Sequence, residues 1–89
     1  MSQNESKNRV MVSIYGEEYT MRSPSSGEYM RRIAHYVDER MKQVGQSNNR
    51  LGTNKIAVLT AINLADELFQ VRRELRELEK SINKKNGGK

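Results

Sequence analysis

The sequence predicts an α+β protein: a short N-terminal β-hairpin, one amphipathic helix, and one long helix whose C-terminal half is a coiled coil, assembled as a dimer or tetramer. Three observations carry that prediction. Val10, Val12 and Ile14 alternate with Met11, Ser13 and Tyr15, the period of two that marks a half-buried strand. Met30, Ile33, Ala34, Val37, Met41 and Val44 recur at steps of three and four, an apolar stripe along one side of a helix. Ala57, Ala61, Leu64, Leu68, Val71, Leu75, Leu78 and Ile82 are spaced 4, 3, 4, 3, 4, 3, 4 without a break, which is a coiled-coil seam.

The opening MSQNESKN is polar and without period, so residues 1–8 read as disordered. Gly16 with Glu17 and Glu18 then makes a turn, and Tyr19–Arg22 resume extended chemistry as the second strand. A lone hairpin is barely stable in water and needs a helix against one face. Pro24 stops the strand, and Ser25-Ser26-Gly27-Glu28 fits the S-x-x-E capping box that opens a helix. The stripe of that helix stops at Gly45, read as its C-terminal cap. Its outer face carries Arg31, Arg32, Asp38, Glu39, Arg40 and Lys42, and QSNNRLG over 46–52 has the composition of a connecting loop.

The second helix opens near Thr53 or Asn54 and meets no Gly or Pro before about residue 83. At ~1.5 Å per residue it is roughly 45 Å long, longer than the domain it belongs to. A second stripe, Val58, Ile62, Ala65 and Phe69, stops halfway. The helix is thus apolar on two sides up to Phe69 and on one side afterwards. Residues 9–69 read as a globular dimerisation head, 70–83 as a coiled-coil stalk and 84–89 as a disordered basic tail. Val58, Ile62, Ala65, Leu68, Phe69, Val71, Leu75, Leu78 and Ile82 are the expected oligomerisation residues, because only another chain can cover the seam beyond Phe69. With Leu68 and Leu75 at heptad position a and Val71 and Leu78 at d, Glu67 and Glu74 fall at g and Arg72 and Glu79 at e. A parallel in-register pair matches Glu67 with Arg72 but opposes Glu74 and Glu79. An antiparallel pair can match Arg72 with Glu79, and the spacing leaves both open.

Composition narrows the function. Charged residues make up 30% of the 89 and apolar ones 35%, so a lone monomer buries little and self-association is expected. The absence of cysteine excludes a disulfide framework, a thiolate zinc site and a cysteine nucleophile. No apolar run approaches the ~18 residues of a membrane span, and the N-terminus lacks a signal-peptide core, so a soluble cytoplasmic protein without a membrane partner is expected. His35 is the only histidine and has no evident orienting partner, while Asp38 and Glu39 are adjacent and point to different sides of a helix. No phosphate-binding glycine loop or ligand cluster is apparent, so neither an enzyme nor a cofactor or metal is expected.

The net charge of +5 invites a nucleic-acid reading, a small basic helical binder presenting Arg31, Arg32, Arg72, Arg73 and Arg76 to phosphates. Against it, the run RRELRELE over 72–79 interleaves three Arg with three Glu, the look of a solvated face laced with ion pairs. The uncompensated charge lies in Lys80, Lys84, Lys85 and Lys89, as in a solubilising end.

Three segments together resemble the ZapA family of bacterial cell-division proteins: VSIYGEEYTMR its opening hairpin, YMRRIAHYVDERMKQV its first helix, and NKIAVLTAINLADEL its most recognisable stretch. The likeness covers roughly residues 9–82. It implies a non-enzymatic protein that binds FtsZ polymers, dimerises through its heads, joins two dimers by C-terminal coiled coils, and cross-links or bundles filaments at the mid-cell division ring. Some members use basic residues after the turn glycine to bind FtsZ, whereas here Glu17 and Glu18 follow Gly16. The resemblance therefore points to the connection between the helices, where Arg40, Lys42, Arg50 and Lys55, with Asn49 and Asn54 beside them, form the expected partner-binding surface.

Overall fold

A computed structural model of the chain describes the backbone of residues 8–87 and the side chains of residues 9–83. Residues 1–7 and 88–89, which the sequence reading assigns to disordered ends, lie outside the described residues. Strands β1 (Asn8–Ile14) and β2 (Glu17–Ser23) are followed by helices α1 (Gly27–Ser47) and α2 (Thr53–Gly87). The hairpin and two helices are those expected, with shifted edges: Asn8 already belongs to β1, and α2 continues to Gly87 rather than giving way to a tail at 84.

The strands pair antiparallel, with Val10 opposite Met21, Val12 opposite Tyr19 and Ile14 opposite Glu17. The turn is Tyr15-Gly16, both at positive φ (52° and 82°), as a two-residue type I′ turn requires. Glu17 and Glu18 are therefore strand residues, which corrects the turn read at Gly16–Glu18. Positive φ is unfavourable for a tyrosine, and tertiary contacts hold it there. Asp38 of α1 accepts the Tyr15 backbone N–H at 2.7 Å, and the Tyr15 ring rests against Gly45.

That ring explains Gly45. The residue is buried inside α1, and a Cβ there would overlap the Tyr15 hydroxyl. Gly45 is thus a packing glycine and not the helix cap, correcting the sequence reading. Asn48 closes the helix instead: its backbone N–H donates to the Gly45 carbonyl at 3.2 Å and its side-chain amide to the Val44 carbonyl at 2.9 Å. At the other end the cap is Ser26, whose hydroxyl accepts the Tyr29 N–H at 3.1 Å. Ser25, expected to cap, stands one residue earlier and donates its backbone N–H to the buried Ser23 Oγ, turning the chain past Pro24. The capping box therefore does not form, because Tyr29 and not Glu28 occupies the third helical position.

Burial follows from these elements. Val10 and Val12 from β1 pack with Met30 and Ala34 from α1, and Met41 and Val44 pack with Ile56 from α2. Ile14 touches both clusters and joins them. Ile33, read as part of the buried stripe, is left exposed. The helices run in opposite directions, since Ile56 meets Met41 and Val44 while Glu67, eleven residues on, meets Tyr36 and Arg40.

The side of α2 that packs on α1 is not one of the two stripes read from the sequence. It is formed by Ile56, Leu59 and Thr60, with Thr60 buried and its hydroxyl donating to the Ile56 carbonyl at 2.8 Å. Within one chain both stripes stay uncovered apart from the half-buried Leu64: Val58 is 59% exposed, Ile62 60%, Phe69 61% and Leu75 53%. α2 thus carries a third apolar side in its first half, hidden from a reading that sought only long repeats. The accessible surface, 7280 Å², is about a third more than the roughly 5,400 Å² of a compact chain of 10.3 kDa. The radius of gyration, 18.2 Å, compares with about 12 Å for a compact domain of this length.

Candidate functional site

Two surfaces are built by these elements: the connection between α1 and α2, and the uncovered length of α2. At the connection, α1 ends in the Asn48 cap, the chain bonds Leu51 N–H to the Asn48 carbonyl at 3.0 Å, and α2 opens at Thr53. This geometry brings Arg50, Asn54 and Lys55 to one shallow depression floored by Leu51, Gly52 and Thr53, with Asn49 exposed just before it. Arg50 and Lys55 are exposed and form no ion pair among the described residues. Their charge is available to a partner.

Arg40 and Lys42 are placed differently. The Arg40 guanidinium pairs with the Glu67 carboxylate of α2, donates to the Tyr36 hydroxyl at 3.2 Å and lies 5.4 Å from the centre of the Tyr36 ring. Tyr36 in turn donates its hydroxyl to Glu67 at 2.6 Å. The three side chains form a clasp between the helices, so Arg40 is directed at its own chain. Lys42 reaches Asp38 at 3.1 Å and Glu39 at 3.9 Å along α1. Sequence spacing shows that Tyr36 and Arg40 share a helix face. The partnership with Glu67 depends on where α2 crosses α1, which no local pattern encodes.

Asp38 is the second residue whose role the sequence hid. One carboxylate oxygen accepts the Tyr15 N–H and the other meets Lys42. The backbone hydrogen bond from Tyr15, and after it the bond to Lys42, holds the Asp38 pKa below the usual carboxylate value, while Asp38 raises that of Lys42. His35, Asp38 and Glu39 each bring one ligand atom within 4.8 Å of the others, but both Asp38 oxygens already serve the turn and Lys42.

A depressed folded pKa means that Asp38 contributes stability above its unfolded pKa, a contribution lost as pH falls through the folded value. The thermal midpoint is therefore expected to fall on acidification below about pH 4. Asp38→Asn should lower the midpoint at neutral pH and flatten that acid limb, measured by circular dichroism between pH 3 and 7. Parallel acid limbs in the two proteins would contradict this role for Asp38.

On α2, residues 68–83 are all exposed, and the apolar seam Leu68, Val71, Leu75, Leu78 and Ile82 lies open along them. The charges of RRELRELE do not lace this face as the sequence suggested: no ion pair joins them among the described residues. Arg72 instead lies 6.0 Å from the centre of the Phe69 ring. No helix among the described residues is long and apolar enough to cross a membrane.

Comparison with known proteins agrees with this architecture. The family model described as "Cell division protein ZapA" matches residues 10–86. A ZapA from Geobacillus thermodenitrificans is 36% identical over 85 residues, covering 96% of this chain and 93% of the relative. One from Halalkalibacterium halodurans is 41% identical over 73 residues, covering 82% and 80%. Among solved structures, a mutant ZapA dimer from Geobacillus stearothermophilus superposes with a TM-score of 0.69 at 34% identity, covering 86% of this chain and 90% of that one. The hairpin, the antiparallel helix pair and these matches along nearly the whole chain make it a member of the ZapA family of cell division proteins.

Proposed function

We propose that the protein is a non-enzymatic cross-linker of FtsZ filaments at the mid-cell division ring, assembled as a dimer of dimers. The observation that supports this reading is the length of apolar surface left open on α2, beyond the reach of its own head. A cell-division protein built this way acts by joining copies. Heads paired through the first half of α2, and stalks paired through the second, make a rigid particle with binding surfaces at both ends. Weak contacts at each end then act together through effective concentration.

The partner surface is assigned to Arg50 and Lys55, whose charge is unpaired among the described residues, with Asn49 and Asn54 beside them. Arg40 and Lys42 are engaged within the chain: Arg40 pairs with Glu67 across the helices, and Lys42 with Asp38. Long-range attraction of this kind weakens as salt screens beyond a Debye length of ~8 Å. Arg50→Glu with Lys55→Glu is expected to abolish cosedimentation with FtsZ polymers at ~0.15 M salt while leaving helicity and assembly state intact. Lys84→Glu with Lys85→Glu is the control and should change little. Loss of binding in the control with retention in the head variant would move the site to the C-terminus.

A further inference from the structure

α2 is held to α1 at two levels, and the outer one is polar. At the inner level Ile56 and Leu59 pack on Met41 and Val44, about one turn of apolar contact. So short a contact sets the crossing angle loosely, since packed helices scatter by about 15–20° around their preferred angles. The outer level lies at Glu67, about 16 Å further along the helix, where the carboxylate meets the Arg40 guanidinium and the Tyr36 hydroxyl. Two points that far apart define a direction. Glu67 is half-buried, whereas residues 68–83 are all exposed, so the clasp stands where α2 leaves its own head.

We propose that Tyr36, Arg40 and Glu67 are positioning residues that set the direction in which the stalk leaves the head. Their interlocking separates them from an ordinary surface pair. Glu67 receives both a guanidinium and a hydroxyl, while Arg40 also donates to the Tyr36 hydroxyl at 3.2 Å and lies 5.4 Å from the centre of its ring. Each side chain thus holds the other two. With side chains 27% and 35% exposed, Arg40 and Glu67 are screened less than a fully solvated pair. Leverage magnifies the effect: α2 runs about 30 Å from Glu67 to Gly87, so a tilt of ~10° at the clasp moves the far end by roughly 5 Å. In a particle that joins filaments, such a displacement enters their spacing. Only this last step rests on the cross-linking reading.

The test uses the full chain, which has no cysteine of its own. Exposed Arg32 and Arg73 are changed to Cys, spin-labelled, and the labelled chain is diluted into an excess of unlabelled chain, so that the spins report the distance from α1 to the stalk within one copy. This parent is expected to give one narrow distance distribution. Glu67→Arg and, separately, Arg40→Glu set like charges face to face, and each should raise the population of displaced stalks about fivefold. Arg40→Glu with Glu67→Arg restores opposite charges and should restore the narrow distribution. Circular dichroism and sedimentation verify the head and the assembly. If a reversal alters either, Glu67→Ala decides, since alanine keeps the helix and removes the clasp, with the same broadening expected. With FtsZ polymers, Glu67→Arg should cosediment like the wild type but lose the uniform spacing between bundled filaments seen by electron microscopy, and the double variant should regain it. Unchanged distances in the reversals, or no recovery in the double variant, would overturn the proposal. A wild type that forms no bundles, with the distances behaving as stated, would refute cross-linking and leave the clasp supported.

Discussion

Ile62→Asp is expected to unfold the chain, although Ile62 is 60% exposed in a single copy. The contrast gives the experiment its force. For a monomer, a charged residue at so open a position changes stability by no more than about 0.5 kcal/mol. For a dimer whose heads meet through Val58, Ile62, Ala65 and Phe69, the substitution removes an apolar side chain worth roughly 1.5–3 kcal/mol and buries an unpaired carboxylate costing several more. Two copies meet at one interface, and a small domain holds only about 5–15 kcal/mol in total. The chain's own core is small: among the described residues, Val10, Val12, Met30, Ala34, Met41, Val44 and Ile56 are the buried apolar ones. Once the interface is lost, nothing of comparable size remains to fold around. Circular dichroism should show loss of the cooperative transition, whereas the wild-type midpoint should rise with protein concentration. A variant that still melts cooperatively, at a midpoint independent of concentration, would show that the head folds alone.

The element order is legible in period and composition. The alternation through Ile14, the α1 stripe and the unbroken seam each depend on local spacing; the first is a strand, the second packs in the core except at Ile33, and the third lies along an exposed side of α2. Features that depend on meeting of distant segments were hidden. Gly45 reads as a cap because glycine ends many helices, yet its reason is the Tyr15 ring from a turn thirty residues earlier. Asp38 reads as a solvated charge, yet it stabilises that same turn through a backbone hydrogen bond. The shift of the cap from Ser25 to Ser26 is a competition between two adjacent hydroxyls, decided by Ser23 taking the Ser25 N–H. At the candidate site the connection was legible as basic, because Arg50 and Lys55 lie in one short stretch. The engagement of Arg40 was not legible, because its partner Glu67 comes from the other helix.

The same clasp bears on the stalk, where Leu75→Glu is expected to separate a tetramer into dimers with folded heads. Flanking charges give the stalk little help. Glu67, the residue that would meet Arg72 of a parallel neighbour, is already held by Arg40 and Tyr36 of its own chain. In the same parallel register Glu74 still opposes Glu79. Cohesion therefore rests on the seam, and between Phe69 and Ile82 that seam offers only Val71, Leu75 and Leu78. Leu75 is the middle one, 53% exposed in a single chain and about one turn from either neighbour. A carboxylate there costs several kcal/mol per copy if buried, which exceeds what so short a coiled coil gains from its remaining apolar contacts. The head is spared, because Leu75 lies about two turns beyond the Glu67 clasp, on the stretch of α2 where every described residue is exposed. Sedimentation equilibrium should give half the wild-type mass with helicity nearly unchanged, and Arg76→Gln, one residue along and off the seam, should leave the mass as it was. With FtsZ polymers the Leu75→Glu protein should still cosediment yet form few bundles, since each dimer keeps one binding end and loses the other. An unchanged mass would place the inter-dimer contact elsewhere on α2. Full bundling by a verified dimer would show that cross-linking does not pass through the stalk.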